Sequence, residues 1–152
     1  MMRRTVCLVA IILVQACSEV PPRCPYTGTP EYAPSAGCLA VVHGRILVVE
    51  NSRGQVGPPG GSALQGESAQ CAAHRETLEE TGLDLLPRHK VASFDTGFKL
   101  FYCDIHANSG KIKPRSAFEI SRAYWLPLED FGDANWRFPG QGEALHRLLF
   151  GE

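Results

Sequence analysis

Long apolar runs are missing from this chain of 152 residues: the longest, residues 6–14, is nine long, against the roughly 20 that a membrane-crossing helix needs. A bundle of membrane helices is excluded. An excess of one charge is missing too, with 15 Lys and Arg against 16 Asp and Glu for a net charge of −1. Nothing is left to spread along a phosphate backbone, so no nucleic-acid partner is expected. No CxxC occurs and no Cys/His spacing matches a zinc site, which argues against structural zinc. Internal repeats are absent as well. What remains is 44% hydrophobic and 20% charged, too apolar for a disordered chain and too mixed for a coiled coil. The length gives room for about one domain.

The first residues read as an address rather than as fold. Arg3 and Arg4 precede the apolar run, as in a secretory signal, and a helix of that length spans only about 13 Å. The run ends in Val14-Gln15-Ala16-Cys17, which resembles a bacterial lipobox although Gln15 departs from the usual small or aliphatic residue. The same residues also suit plain signal cleavage after Ala16. The expectation is a signal peptide over 1–16 and export to the periplasm, with a lipidated Cys17 holding the protein on a membrane surface. Residues 17–36 carry Pro21, Pro22, Pro25, Pro30 and Pro34 and read as a tether, and 37–152 as the folded domain. Setting aside Cys7 and Cys17 leaves Cys24, Cys38, Cys71 and Cys103, an even number that an oxidising compartment would pair. Three pairings are open. Cys71, near a helix start, is in reach of the segment bearing Cys24.

Within the domain, residues 37–50 are two β-branched runs around His43-Gly44-Arg45, which predicts a strand pair with a tight turn. Residues 54–61 hold too much Gly and Pro for helix. Between Glu67 and Thr81 neither residue occurs, Ser68 can cap the start and Gly82 the end, so a helix is expected there. Strands are expected over 91–94, 98–105 and 124–126. A terminal helix over 143–150 would put Leu145, Leu148 and Leu149 on one face.

On the first helix, Ala69, Ala72, Ala73, Glu76, Glu80 and Leu83 share a stripe, with Glu79 at its edge. A stripe of small residues that continues into carboxylates is unusual, because burying unpaired acids is costly. Arg75 can reach Glu79 one turn on, which would leave Glu76 and Glu80 unbalanced. A hard divalent cation is one remedy, and a solvated acidic face is the other.

The preceding residues favour the cation. From Gly61 the chain runs five residues to Glu67, seven more to Arg75, and then Arg75-Glu76-Thr77-Leu78-Glu79-Glu80-Thr81-Gly82-Leu83. This is similar to the Nudix box, Gx5Ex7REUxEExGU, over 23 residues, with Thr77 in place of the usual aliphatic residue as the one departure. Looser resemblance runs from about residue 37 to 150. It implies an α/β/α sandwich around a mixed sheet. It also implies hydrolysis of a diphosphate linkage with Mg²⁺, or Mn²⁺, held by Glu76, Glu79, Glu80 and the carbonyl of Gly61. Glu67 would support the site, Arg75 would orient the acids, and Glu119 resembles a late acid that acts as a further ligand or base in many members. A diphosphate needs its negative oxygens neutralised and a water placed in line, which a metal and a carboxylate base supply together.

The substrate class stays open between nucleoside diphosphate derivatives and envelope diphosphates, polyprenyl or nucleotide-sugar. A non-catalytic diphosphate-binding module and a cytosolic nucleotide-cleaning enzyme are the rival readings. Trp136, Phe138 and Phe98 are available to stack a base or an isoprenoid, or to fill core. The five histidines show no ligand spacing.

Overall fold

The computed structural model describes residues 22–115 and 120–151. The expected signal peptide, Cys17 and Glu119 lie outside the described residues. Among those described, no helix is long and apolar enough to cross a membrane.

Strand β1 (Ser35–Leu39) runs parallel to β7 (Phe98–Ile105) and antiparallel to β5 (Gly60–Ser62), while β6 (Leu85–Ser93) pairs antiparallel with β7, giving one mixed sheet in the order β5-β1-β7-β6. A second, antiparallel sheet is built on β3 (Arg45–Glu50), with β2 (Val41–Val42) and β4 (Val56–Gly57) paired to its two ends and β8 (Arg122–Pro127) along its length. Helix α1 (Ala69–Thr81) follows β5, and α2 (Gln141–Phe150) closes the chain after a short 3-10 helix, Leu128–Asp133.

Strand alternation sorts the core into two layers. Ala36, Cys38, Leu47, Phe101 and Cys103 meet Ala69, Ala72 and Ala73 of α1, whereas Leu39, Ile46, Val48 and Leu100 meet Leu126, Phe131 and Leu145 of α2. The expected α/β/α sandwich is the one observed. The small residues of α1 face the small residues of β1, so the helix lies close on the mixed sheet and its inward stripe is carried to the sheet's edge at β5.

The α1 ends are those expected. The Ser68 side chain accepts the Cys71 N–H at 3.3 Å, and Gly82 closes the helix at φ +74° by donating to the Leu78 carbonyl at 2.8 Å. A Cβ at Gly82 would run into the Lys113 carbonyl.

Three local expectations are corrected. The run 37–50 is not one hairpin: only Val41–Val42 turns back on β3 through His43 (φ +50°) and Gly44 (φ +71°), while Ser35–Leu39 crosses to the other sheet and finds its parallel partner some 60 residues later. Strand β6 begins at Leu85 rather than at 91. Pro87 lies within it, which is tolerated because β6 is an edge strand with a register shift beyond that residue. Of the α2 leucines, Leu145 is buried and Leu149 packs on the core, but Leu148 is exposed.

The stretch expected as tether lies against the domain from Cys24 onward. Cys24 is disulfide-bonded to Cys71, as anticipated, and Cys38 to Cys103 beneath α1. Glu31 is held at every polar group. Its carbonyl accepts the Ala69 N–H at 2.7 Å, its N–H donates to Gln70 Oε1 at 3.0 Å, and its carboxylate pairs with Lys90 at 2.7 Å and Lys99 at 2.9 Å. This arm thereby satisfies a backbone donor at the N-terminus of α1.

Candidate active site

The second half of α1 and the edge strand β5 enclose a cavity of about 360 Å³ lined by Gly60, Gly61, Ser62, Glu76, Glu79, Glu80, Ile120 and Arg137. Four expected residues therefore meet in one place, Gly61, Glu76, Glu79 and Glu80, while Glu67 and Arg75 stand behind them. The next residue after Glu119, Ile120, is part of the lining.

Arg75, a residue only 5% exposed, reaches beyond Glu79, and its guanidinium spans three carboxylates. Nε and Nη2 donate to the two Glu67 oxygens at 3.0 and 2.9 Å, Nη1 donates to Glu76 at 2.8 Å and to Glu79 at 3.4 Å, and Nη2 also donates to the Ser62 carbonyl at 2.8 Å. A planar fork of five donors can do this where a lysine cannot. Glu76 is therefore balanced. Burial opposes the charge on Arg75, but the hydrogen bonds to Glu67 and Glu76 outweigh it and hold its pKa above the ordinary arginine value. Burial likewise pushes the Glu67 carboxyl up, and Arg75 with the Leu64 N–H, 2.8 Å away, brings it below the usual carboxylate range.

Glu80 is equally buried and is anchored differently, by the Gly60 N–H at 2.8 Å. Gly61 has no side chain for a steric reason, since a Cβ there would collide with the Glu76 carboxylate. Among the described residues, no three His, Cys, Asp or Glu side chains are gathered closely enough to enclose an ion as they stand. The chemistry of the donors still suits a hard cation: carboxylate oxygens on one cavity wall and, opposite, a glycine whose missing side chain lets Glu76 meet the backbone.

A match to the NUDIX domain profile covers residues 31–148, and the box that profile is known by coincides with the cavity wall just described. The chain belongs to the Nudix hydrolase family. Solved structures with the same fold include a NUDIX hydrolase from Nitrosomonas europaea, at 22% identity and TM-score 0.63, matching over 80% of this chain and 90% of that one. A UDP-X diphosphatase aligns at 19% identity and TM-score 0.64 over 84% and 67% of the two chains. An ADP-ribose pyrophosphatase from Streptococcus suis aligns at 22% and 0.61 over 81% and 92%. No curated protein matches the chain.

Sequence reasoning missed Arg137 in this Nudix domain. Its only signal was a cation between two aromatics, Trp136 and Phe138. Of the three aromatics singled out, Trp136 packs on Phe131 with ring centres 4.5 Å apart and belongs to the core, while Phe98 and Phe138 line a second cavity beside the first. His74 is buried against Asp84 at 3.0 Å.

Proposed function

We propose that this Nudix protein is an exported hydrolase that uses Mg²⁺, or Mn²⁺, to cleave a diphosphate linked to an organic group. One observation carries the reading: Glu76, Glu79 and Glu80 line a single cavity with the backbone of β5, and Arg75 fixes two of the three from behind. Glu76, Glu79, Glu80 and the Gly61 carbonyl are the groups that would hold the cation. When bound, it would neutralise phosphate oxygens and acidify a water. Arg75 keeps Glu76 and Glu79 aimed into the cavity, and the Gly60 N–H keeps Glu80 there. Both Glu67 oxygens are occupied, by Arg75 and the Leu64 N–H, so Glu67 is a positioning residue rather than the base. The proton of the attacking water passes to a cavity carboxylate or to Glu119, as the new P–O bond forms and the bridging P–O bond breaks. That proteins of this fold include a UDP-X diphosphatase and an ADP-ribose pyrophosphatase supports a diphosphate substrate.

Export rests on the N-terminal residues and is supported by the two disulfides, which persist in oxidising compartments. On this reading Cys17 is the lipidated first residue and the site works at a periplasmic membrane surface. Mass spectrometry of the cellular protein is expected to show a lipid-modified Cys17, with palmitate labelling lost in Cys17→Ser; an intact Met1 contradicts export. For the reaction, purified protein is expected to release phosphate from at least one of ADP-ribose, UDP-glucose and geranyl diphosphate, coupled with phosphatase where needed, in Mg²⁺ but not in chelator. Equal release in chelator contradicts the metal reading.

A further inference from the structure

Arg137 and Gly60 are the residues common to the carboxylate cavity and to the larger one beside it. The position of Arg137 is fixed by its backbone, whose N–H donates to the Val56 carbonyl at 2.8 Å where Trp136 bridges to β4. Its side chain is not so settled. Nε is buried without a hydrogen bond, and among the described residues Arg137 makes no ion pair. A buried guanidinium N–H left unpaired is costly, and an oxyanion entering between the two cavities would satisfy it.

The neighbouring cavity, of about 470 Å³, is walled by Phe94, Phe98, Leu100, Phe138, Leu145 and Pro58. Phe94 and Phe98 lie with ring centres 6.0 Å apart, and Phe138 stands at the mouth, 60% exposed. Its polar side chains sit at the edge: Ser35, Thr96, whose Oγ1 accepts the Phe98 N–H at 3.4 Å, and Gln141, whose Oε1 accepts the Phe138 N–H at 3.3 Å. Asp95, exposed at the rim, repels an anion, which leaves Arg137 as the cavity's phosphate end. Against its phenylalanine and leucine walls a polyhydroxylated group would find few partners, whereas an apolar chain or a flat aromatic ring would be at home.

We propose that Arg137 is a specificity-determining residue that grips the phosphate nearest the organic group. The outer phosphate then reaches the carboxylate cavity, and the apolar chain or flat aromatic ring of the organic group fills the phenylalanine cavity. This rests on the diphosphate-hydrolase reading and narrows its substrate to diphosphates whose organic group carries an apolar chain or a flat aromatic ring.

Calorimetry in Mg²⁺ with three methylene-bridged, uncleavable diphosphonates, bearing geranyl, adenosine and glucose, tests it. The full chain is expected to bind the geranyl or the adenosine compound at least about 10-fold more tightly than the glucose one. Preference for geranyl identifies an isoprenoid source and preference for adenosine a nucleoside source. Arg137→Met is expected to weaken the preferred compound about 10-fold or more with an unchanged melting temperature, Arg137→Lys to recover part of that, and Phe138→Ala to weaken the preferred compound but not the glucose one. In turnover, Arg137→Met is expected to raise KM more than it lowers kcat. Equal binding of the three compounds, or binding to Arg137→Met as tight as to the parent, overturns the proposal. If the parent still hydrolyses a diphosphate in Mg²⁺, only this inference falls; if it hydrolyses none, the underlying reading falls.

Discussion

Glu76 and Glu80 stand one turn apart on α1 and are held by different means, one by Arg75 and the other by the backbone of Gly60. Their spacing in the sequence placed both on one wall, and the structure agrees. What the spacing hid is the reach of Arg75. Its contacts with Glu67 and the Ser62 carbonyl depend on how β5 and the loop before α1 fold back, which helical periodicity does not encode. Arg137 was hidden for the same reason, lying far along the chain in a segment without pattern. Because Arg75 neutralises two nearly buried acids, Arg75→Met is expected to destabilise by about 3–5 kcal/mol, the usual cost of leaving buried carboxylates without their cation. Urea unfolding reads this, and a loss under about 1 kcal/mol would mean that the guanidinium is not the pivot of the cluster.

At the scale of elements, the well-marked pieces were legible. Ser68 and Gly82 bracket α1 as their chemistry requires, and the two-residue turn at His43 and Gly44 sits where it was expected. The failures lie where tertiary pairing overrides local pattern: β1 leaves its hairpin for a parallel partner, and β6 carries a proline that only an edge strand accepts. Gly82 makes a sharp prediction. A side chain there must adopt φ +74° and also meets the Lys113 carbonyl, so Gly82→Ala is expected to cost more than about 1–2 kcal/mol, read as a lower urea midpoint at unchanged slope. A neutral substitution would show that the helix ends elsewhere.

For the molecule as a whole, the N-terminal arm turns out to be part of the fold, joined by Cys24–Cys71 and by Glu31. Proline content pointed to a tether because contacts of an irregular segment leave no periodic trace. By chain entropy, closing the loops of 47 and 65 residues contributes about 4 kcal/mol each. Alkylation of the unreduced protein is expected to label none of Cys24, Cys38, Cys71 and Cys103, and labelling of all four contradicts the pairing. Hydrogen bonds from Lys90 and then Lys99 lower the Glu31 pKa in the folded chain. A carboxyl lowered on folding stabilises above its unfolded value, about 4.3, and loses that contribution as pH falls through the folded one. Glu31→Gln is therefore expected to destabilise the protein at pH 7 by no more than about 1 kcal/mol, read as a lower melting temperature, with the gap closing in acid below about pH 4. A gap that widens in acid would contradict the ion pairs.

If the acids of α1 serve chemistry rather than the fold, Glu80→Gln separates the two roles. The amide can still accept the Gly60 N–H, so the melting temperature in chelator is expected to stay near that of the parent. A neutral amide is a poor ligand for a hard cation, so phosphate release in Mg²⁺ from the diphosphate that the parent cleaves fastest is expected to fall about 100-fold or more. Measured side by side, an unchanged melt with collapsed turnover is the predicted result. Turnover equal to the parent's, or a melt far below it, would contradict the account.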